Sequence, residues 1–344
     1  MKTFSRYLTY RLKTGMLRVL IMAILAVLIL FLVLPECLDG SDVKWHSSGL
    51  YMQATLLSIV ASIVPILELS GLKNRRNLDT LYFFPIKRAK LALVHFAGGF
   101  LQVFAIYTVT YFVHFAYLAL KTDYFALVYM IPYYFLSLAL GFVIYSVYMF
   151  IFTQANTVVD GVLFCILWIF LAALVMLTGM ILLGPDLSDP LDWLPEWGIL
   201  YVPINHLTVL YEDLIEINRE VNMWSYTVEQ IMEHLEMFVV WGVVGVAAAY
   251  GYVYSFVKKG AQQAGEISNS LFGYKTLLPI YGCCFLLLSG STLFTCLLYL
   301  ILMLVGYIIY RRGFKFKLSD ILVTLGGGFI ALLLRAVIRE IWYF

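Results

Sequence analysis

Residues 16–34 of this chain read MLRVLIMAILAVLILFLVL, an apolar run broken only by Arg18. A run of ~18 or more apolar residues leaves a chain little choice, because hydrocarbon offers no water to a backbone amide and the segment must satisfy its own hydrogen bonds as a helix. The pattern recurs near residues 51–69, 91–118, 127–152, 161–183, 238–256 and 293–310. Residues 277–288 are short for a full crossing, and 321–338 are interrupted by Gly326-Gly327-Gly328 and end in charge. Eight spans are therefore expected, with a ninth, and the side of the C-terminus, left open. Composition agrees: 62% of residues are hydrophobic and 13% charged, against roughly 45–50% and about 25% in soluble domains. The expected fold is an all-α integral membrane protein, a polytopic helical bundle with a six-span core in residues 1–266 and two or three further spans in 267–344.

Orientation follows from the cations. Lys2, Arg6, Arg11, Lys13 and Arg18 precede or open the first run, and Lys73, Arg75, Arg76, Lys87, Arg88 and Lys90 lie between the second and third. By alternation Lys258, Lys259, Lys275, Arg311, Arg312, Lys315 and Lys317 fall on the same side, whereas Lys44, Lys121 and Arg219 fall opposite. The positive-inside rule places the crowded side, and the N-terminus, in the cytoplasm of a multi-pass protein. A formal net charge of +2 conceals this asymmetry.

The opposite side is acidic. Residues 184–236 carry Asp186, Asp189, Asp192, Glu196, Glu212, Asp213, Glu216 and further acids, with Trp193, Trp197, Tyr201 and Trp224, and read as an external loop with one or two surface-lying helices. His206 and His234 have no spacing with these carboxylates that specifies a metal, so no metal site is expected. Only Cys37 of the 5 cysteines falls outside a span, and no disulfide framework is implied. The first run is too long for a signal-peptide core and lacks a small-residue cleavage pattern after it.

The basic connection, residues 71–90, reads GLKNRRNLDTLYFFPIKRAK. It cannot enter hydrocarbon, since Arg and Lys at the bilayer centre cost about 2.5–3.5 kcal/mol each. Asn74 can cap a short helix in which Arg75 and Arg76 meet Asp79 at spacings of four and three, with Leu78, Leu81 and Tyr82 as an apolar edge. Pro85 ends it, and Lys87, Arg88 and Lys90 anchor the return into the bilayer. The result is a short helix on the cytoplasmic surface; its plainer reading is a set of cations that fix topology.

These residues resemble a family. Asn74-Arg75-Arg76-Asn77-Leu78-Asp79 followed by Phe84-Pro85-Ile86-Lys87-Arg88 is similar to the connection between the second and third spans of ABC-2 type permeases, the membrane subunits of ATP-binding-cassette transporters, particularly those of Gram-positive bacteria. Ala155-Asn156-Thr157-Val158-Val159-Asp160-Gly161, at the second cytoplasmic turn, and Lys258-Lys259-Gly260-Ala261-Gln262-Gln263-Ala264-Gly265-Glu266, after the sixth span, extend the resemblance. It implies that the 71–90 connection is a coupling helix seated on a cytoplasmic ATPase subunit, with Arg75, Arg76, Asp79, Leu81 and Tyr82 touching that partner. It implies a second permease subunit, identical or homologous, and ATP and Mg bound on the ATPase rather than on this chain. The N-terminal arm, with Phe4, Leu8 and Leu12 on one face, resembles the family's surface helix ahead of the first span.

The remaining residues limit the alternatives. No Gly-x-x-x-x-Gly-Lys-Ser/Thr phosphate loop occurs, so nucleotide chemistry is not expected here. No nucleic-acid partner is indicated; the surroundings are membrane lipid. An ion-gradient-driven secondary transporter, the alternative function, would carry ionisable groups deep in its spans. Glu68 and Asp160 fall at span ends and turns, and His95 and His114 toward opposite ends of the third span, with Gln102 near His114 as a pair of interest. A membrane hydrolase would need paired His and Asp or an activated Ser, and none is spaced for it. Tyr107, Tyr111, Tyr117, Tyr133, Tyr134, Tyr145 and Tyr148 can line a path for an amphiphilic cargo or serve as ordinary packing. The expected function is a permease subunit of an ATP-driven transporter, exporting an amphiphilic, lipid-like or peptide- or drug-like cargo.

Overall fold

A computed structural model describes residues 2–38, 45–74, 86–121, 127–183, 204, 207–208, 210–211, 235–259, 263–289 and 292–342. Among these residues there is no strand. The chain is an all-α, polytopic helical bundle. Its longer helices are α1 (Lys2–Leu38), α2 (Trp45–Ser70), α3 (Arg88–Lys121), α4 (Leu127–Gln154), α5 (Val158–Leu183), α6 (Leu235–Lys258), α7 (Tyr274–Ser289), α8 (Leu293–Arg311) and α9 (Leu318–Trp342). Among the described residues 7 helices are long and apolar enough to cross a membrane, and the stretch Leu318–Val337 of α9 is one of them. The helix α7 has 16 residues, the short apolar segment its sequence suggested.

The helices form two compact units. The first comprises Met1–Leu72, Arg76–Thr153 and Val202–Gly260. Its centre is α3, against which α1, α2 and α6 pack. The seam between α3 and α4 is built from tyrosines. The Tyr107 hydroxyl meets Ser137 Oγ at 2.6 Å, Tyr111 donates to the Met130 carbonyl at 2.6 Å, and Tyr145 donates to the Phe96 carbonyl at 2.8 Å. Tyr107, Tyr111, Tyr133 and Tyr145 are buried. They are core, and each hydroxyl has a partner because a phenol buried without one forfeits its hydration. Gly99 admits Tyr145 to this seam: a Cβ there would lie 2.2 Å from the phenol oxygen.

Two features of this unit differ from the sequence reading. The N-terminal arm is not a separate surface helix; α1 runs unbroken from Lys2 to Leu38. Tyr7, with Phe4 and Leu8, packs against Leu91, Val94, Ile86 and Phe256. Arg11 and Arg18, both part-buried, turn toward the helix packing, where they share one carboxylate from α2. The second difference lies in the acidic 184–236 segment, whose Ile204, Leu207, Thr208, Leu210 and Tyr211 are buried. Thr208 shares a 3.0 Å hydrogen bond with Tyr133, whose hydroxyl also lies 3.3 Å from the Leu50 carbonyl. Part of the segment is thus core rather than loop surface.

The second unit comprises Lys73–Arg75, Gln154–Tyr201 and Ala261–Phe344. Here α7 is central, packed by α5, α8 and α9. Trp168 donates to the Phe272 carbonyl at 3.0 Å, and Tyr281 to the Leu167 carbonyl at 2.5 Å. The Gly326-Gly327-Gly328 run does not break α9. Gly327 and Gly328 lie against Cys283 and Tyr299, and a Cβ at Gly328 would fall 3.0 Å from the Tyr299 ring. Small residues at such a contact let two apolar helices approach closely, which offsets the weak helix propensity of glycine. Arg312, with φ of 52°, ends α8 in the left-handed conformation, and the Gly313 amide returns to the Ile308 carbonyl at 3.1 Å.

Candidate functional site

Glu68, near the C-terminal end of α2, is 3% exposed. An isolated carboxylate is too costly to bury, so its surroundings must supply charge and donors. Arg11 reaches Oε1 at 2.6 Å and Arg18 reaches Oε2 at 2.8 Å, both from α1. From α3, His95 Nδ1 lies 3.0 Å from Oε1 and Gln102 donates to Oε2 at 3.3 Å. Arg18 also donates to the Gln102 side-chain oxygen at 2.6 Å and to the Leu67 carbonyl at 3.2 Å. One carboxylate therefore ties α1, α2 and α3 together.

Local sequence explains the assembly. Arg11 and Arg18 are seven residues apart, as are His95 and Gln102, and a spacing of about two helical turns returns a side chain to the same face. Each flanking helix offers two donors on one face, and Glu68 stands between them. Gly15 packs against this group, and a Cβ there would meet Gln102 Nε2 at an ordinary contact distance of 3.5 Å. Two nitrogens in the cluster, Arg18 Nε and His95 Nε2, are buried with no hydrogen-bond partner among the described residues. The sequence reading placed Glu68 at a span end and Gln102 beside His114. Gln102 instead joins Glu68.

A second cluster gathers the turn that follows α4. Asp160 Oδ2 accepts from Ser268 Oγ at 2.7 Å, and Oδ1 from the Tyr274 hydroxyl at 3.1 Å. Arg312 lies 3.4 Å from Oδ2 and donates to the Gly265 carbonyl at 3.1 Å. The Asn156 amide N–H donates to Ser268 Oγ at 2.8 Å, and its side chain to the Ile267 carbonyl at 3.1 Å. The Gly265 amide returns to the Asn156 carbonyl at 3.0 Å. Lys73, where the basic connection begins, donates to the Ala155 carbonyl. Asn156 and Asp160 are thus joined to the segment around Gly265 and to Lys73. Ser268, Tyr274 and Arg312 were missed by sequence reasoning, because nothing local marks them as partners of a residue more than a hundred positions away.

Of the residues singled out in the basic connection, Arg75, Arg76, Asp79, Leu81, Tyr82 and Pro85 lie outside the described residues. Lys87, Arg88 and Lys90 are exposed at the start of α3. The Lys87 carbonyl accepts the Leu91 amide at 3.1 Å, and Arg88 lies 3.5 Å from the Lys259 carbonyl. Burial holds the Lys259 ammonium below the usual lysine range, at about 8. Among the described residues no three His, Cys, Asp or Glu side chains gather as metal ligands. Compared with known proteins, the chain matches no family model, no curated protein and no solved structure.

Proposed function

We propose that this chain is the membrane-spanning permease subunit of an ATP-driven transporter of the ABC-2 type, moving an amphiphilic cargo outward across a bacterial plasma membrane. A separate cytoplasmic ATPase docks on the 71–90 connection through Arg75, Arg76, Asp79, Leu81 and Tyr82, and a second permease subunit completes the transporter. The observation that best supports this reading is the Glu68 cluster. It ties α2 to α3 close to both ends of the connection they flank, and it includes α1. A push on the connection is then delivered to three helices as a body rather than absorbed by one, as coupling to an external engine requires.

The test is co-purification from native membranes followed by charge reversal. An ATPase of cassette size should accompany the wild-type chain, and R75E/R76E should abolish its stimulation by cargo while leaving insertion intact. Loss of insertion instead would reduce the connection to a topology signal.

One observation favours a second reading. A buried Glu68 beside His95 is the kind of intramembrane ionisable pair found in proton relays, and an ion-gradient-driven carrier would use it. Glu68→Gln separates the two. Transport that follows a proton gradient and is lost in the variant, with no ATPase in the preparation, supports the carrier.

A further inference from the structure

A groove of about 270 Å³ runs between α1 and α3, lined by Leu12, Lys13, Met16, Val19, Leu101, Gln102 and Ala105. It opens sideways, since Met16 is 70% and Leu101 40% exposed. Both helices are membrane-crossing, so an open side of this kind faces bilayer. Leu12, Met16 and Val19 recur at helical spacing and make an apolar strip about 10 Å long.

The only polar group in the floor is Gln102, and its amide is already committed to Arg18 and Glu68. The floor therefore asks for no polar ligand. The volume is below the ~300–1,000 Å³ of pockets that engulf a whole small molecule. It suits a single slender chain. At the rim stands Lys13, exposed and in no salt bridge among the described residues, with Arg6 two turns away on the same face. A lysine can lay its methylenes along an apolar groove and present its ammonium at the headgroup level. Anionic headgroups are attracted there.

We infer that this groove holds one acyl chain of an anionic phospholipid, with Lys13 at the rim binding the lipid phosphate. Gln102 alone of the Glu68 cluster lines the groove, and a chain seated there braces α1 against α3 at the level where Arg18 and Gln102 meet. The inference needs only that the helices cross a membrane, and it stands whether or not an ATPase partner exists.

The test uses the full chain in vesicles of phosphatidylglycerol or of phosphatidylcholine, extracted gently, with retained lipid counted by native mass spectrometry. The wild type should retain phosphatidylglycerol in preference. Lys13→Gln, at an exposed position, should lower that preference by about fivefold, the equivalent of one lysine beside an anionic headgroup. Ala105→Trp, which fills the groove, should remove retention of both lipids, and a photoactivatable acyl chain should cross-link Met16 or Leu101. Equal retention of the two lipids, or an unchanged preference in Lys13→Gln, overturns the inference. So does cross-linking of Met16 to a second copy of the chain in place of lipid.

Discussion

Ser268 donates its hydroxyl to Asp160 at 2.7 Å, and the same serine oxygen receives the amide of Asn156 at 2.8 Å. That single atom joins the turn after α4 to the segment that leads into α7. Ser268→Ala leaves a buried carboxylate one donor short and an amide unpaired, and should lower stability by about 1–3 kcal/mol. Asp160→Ala should cost more, because Tyr274 and Arg312 lose their acceptor as well. Thermal unfolding of the purified protein measures both. Effects of the two substitutions that simply add, rather than overlapping as contacting residues do, would show that the atoms do not act together.

The Glu68 cluster makes a sharper prediction. Glu68→Ala leaves Arg11 and Arg18, both part-buried, without their shared acceptor and should destabilise the protein by about 1.5–3 kcal/mol, the range for hydrogen bonds to charged groups. Adding Arg11→Leu to that variant should recover part of the loss, since one stranded charge goes with it. If Glu68→Ala unfolds at the wild-type temperature, the carboxylate is not holding α1.

Tyr133 offers a test of the buried part of the 184–236 segment. Tyr133→Phe keeps the ring but loses the bond to Thr208 and the contact with the Leu50 carbonyl. A loss of about 1 kcal/mol is expected. The more telling readout is hydrogen exchange, which should quicken in a peptide covering Leu207 and Thr208 while α8 is unchanged.

The Lys259 ammonium gives a pH dependence of known sign. Its folded value of about 8 lies below the unfolded 10.5, so between those values the unfolded chain holds more protons and stability rises with pH. Below about 8 the cost of the buried charge is complete. Subtracting the stability profile of Lys259→Gln from that of the wild type should leave a positive slope between pH 8 and 10. A flat difference would place the ammonium in water.

Much of the fold was legible because membrane helices announce themselves through length and apolarity, and residues 51–69, 91–118 and 293–310 fall within α2, α3 and α8. What misled was a rule applied without partners. Charge alone does not reveal that Arg11 and Arg18 share Glu68, and the signal that would have shown it was the repeated spacing of seven from Arg11 to Arg18 and from His95 to Gln102. Glycine misled in the same way at Gly326-Gly327-Gly328, where absent side chains read as a break and serve instead as a contact with Tyr299. The acidic composition of 184–236 hid Leu207, Thr208 and Tyr211, whose burial depends on tyrosines from another helix. Asn156 and Asp160 were marked by resemblance, whereas their partners at Ser268 and Arg312 required the folded chain.

The unbroken course of α1 also bears on how the protein is made. The only carboxylate on this helix, Glu36, is at its far end, so Arg11 and Arg18 emerge from the ribosome without a counter-charge. Their acceptor arrives with α2, and the remaining donors to that acceptor with α3. The first helix therefore completes its ion pairing only once α2 is in place, and the full set of contacts only with α3.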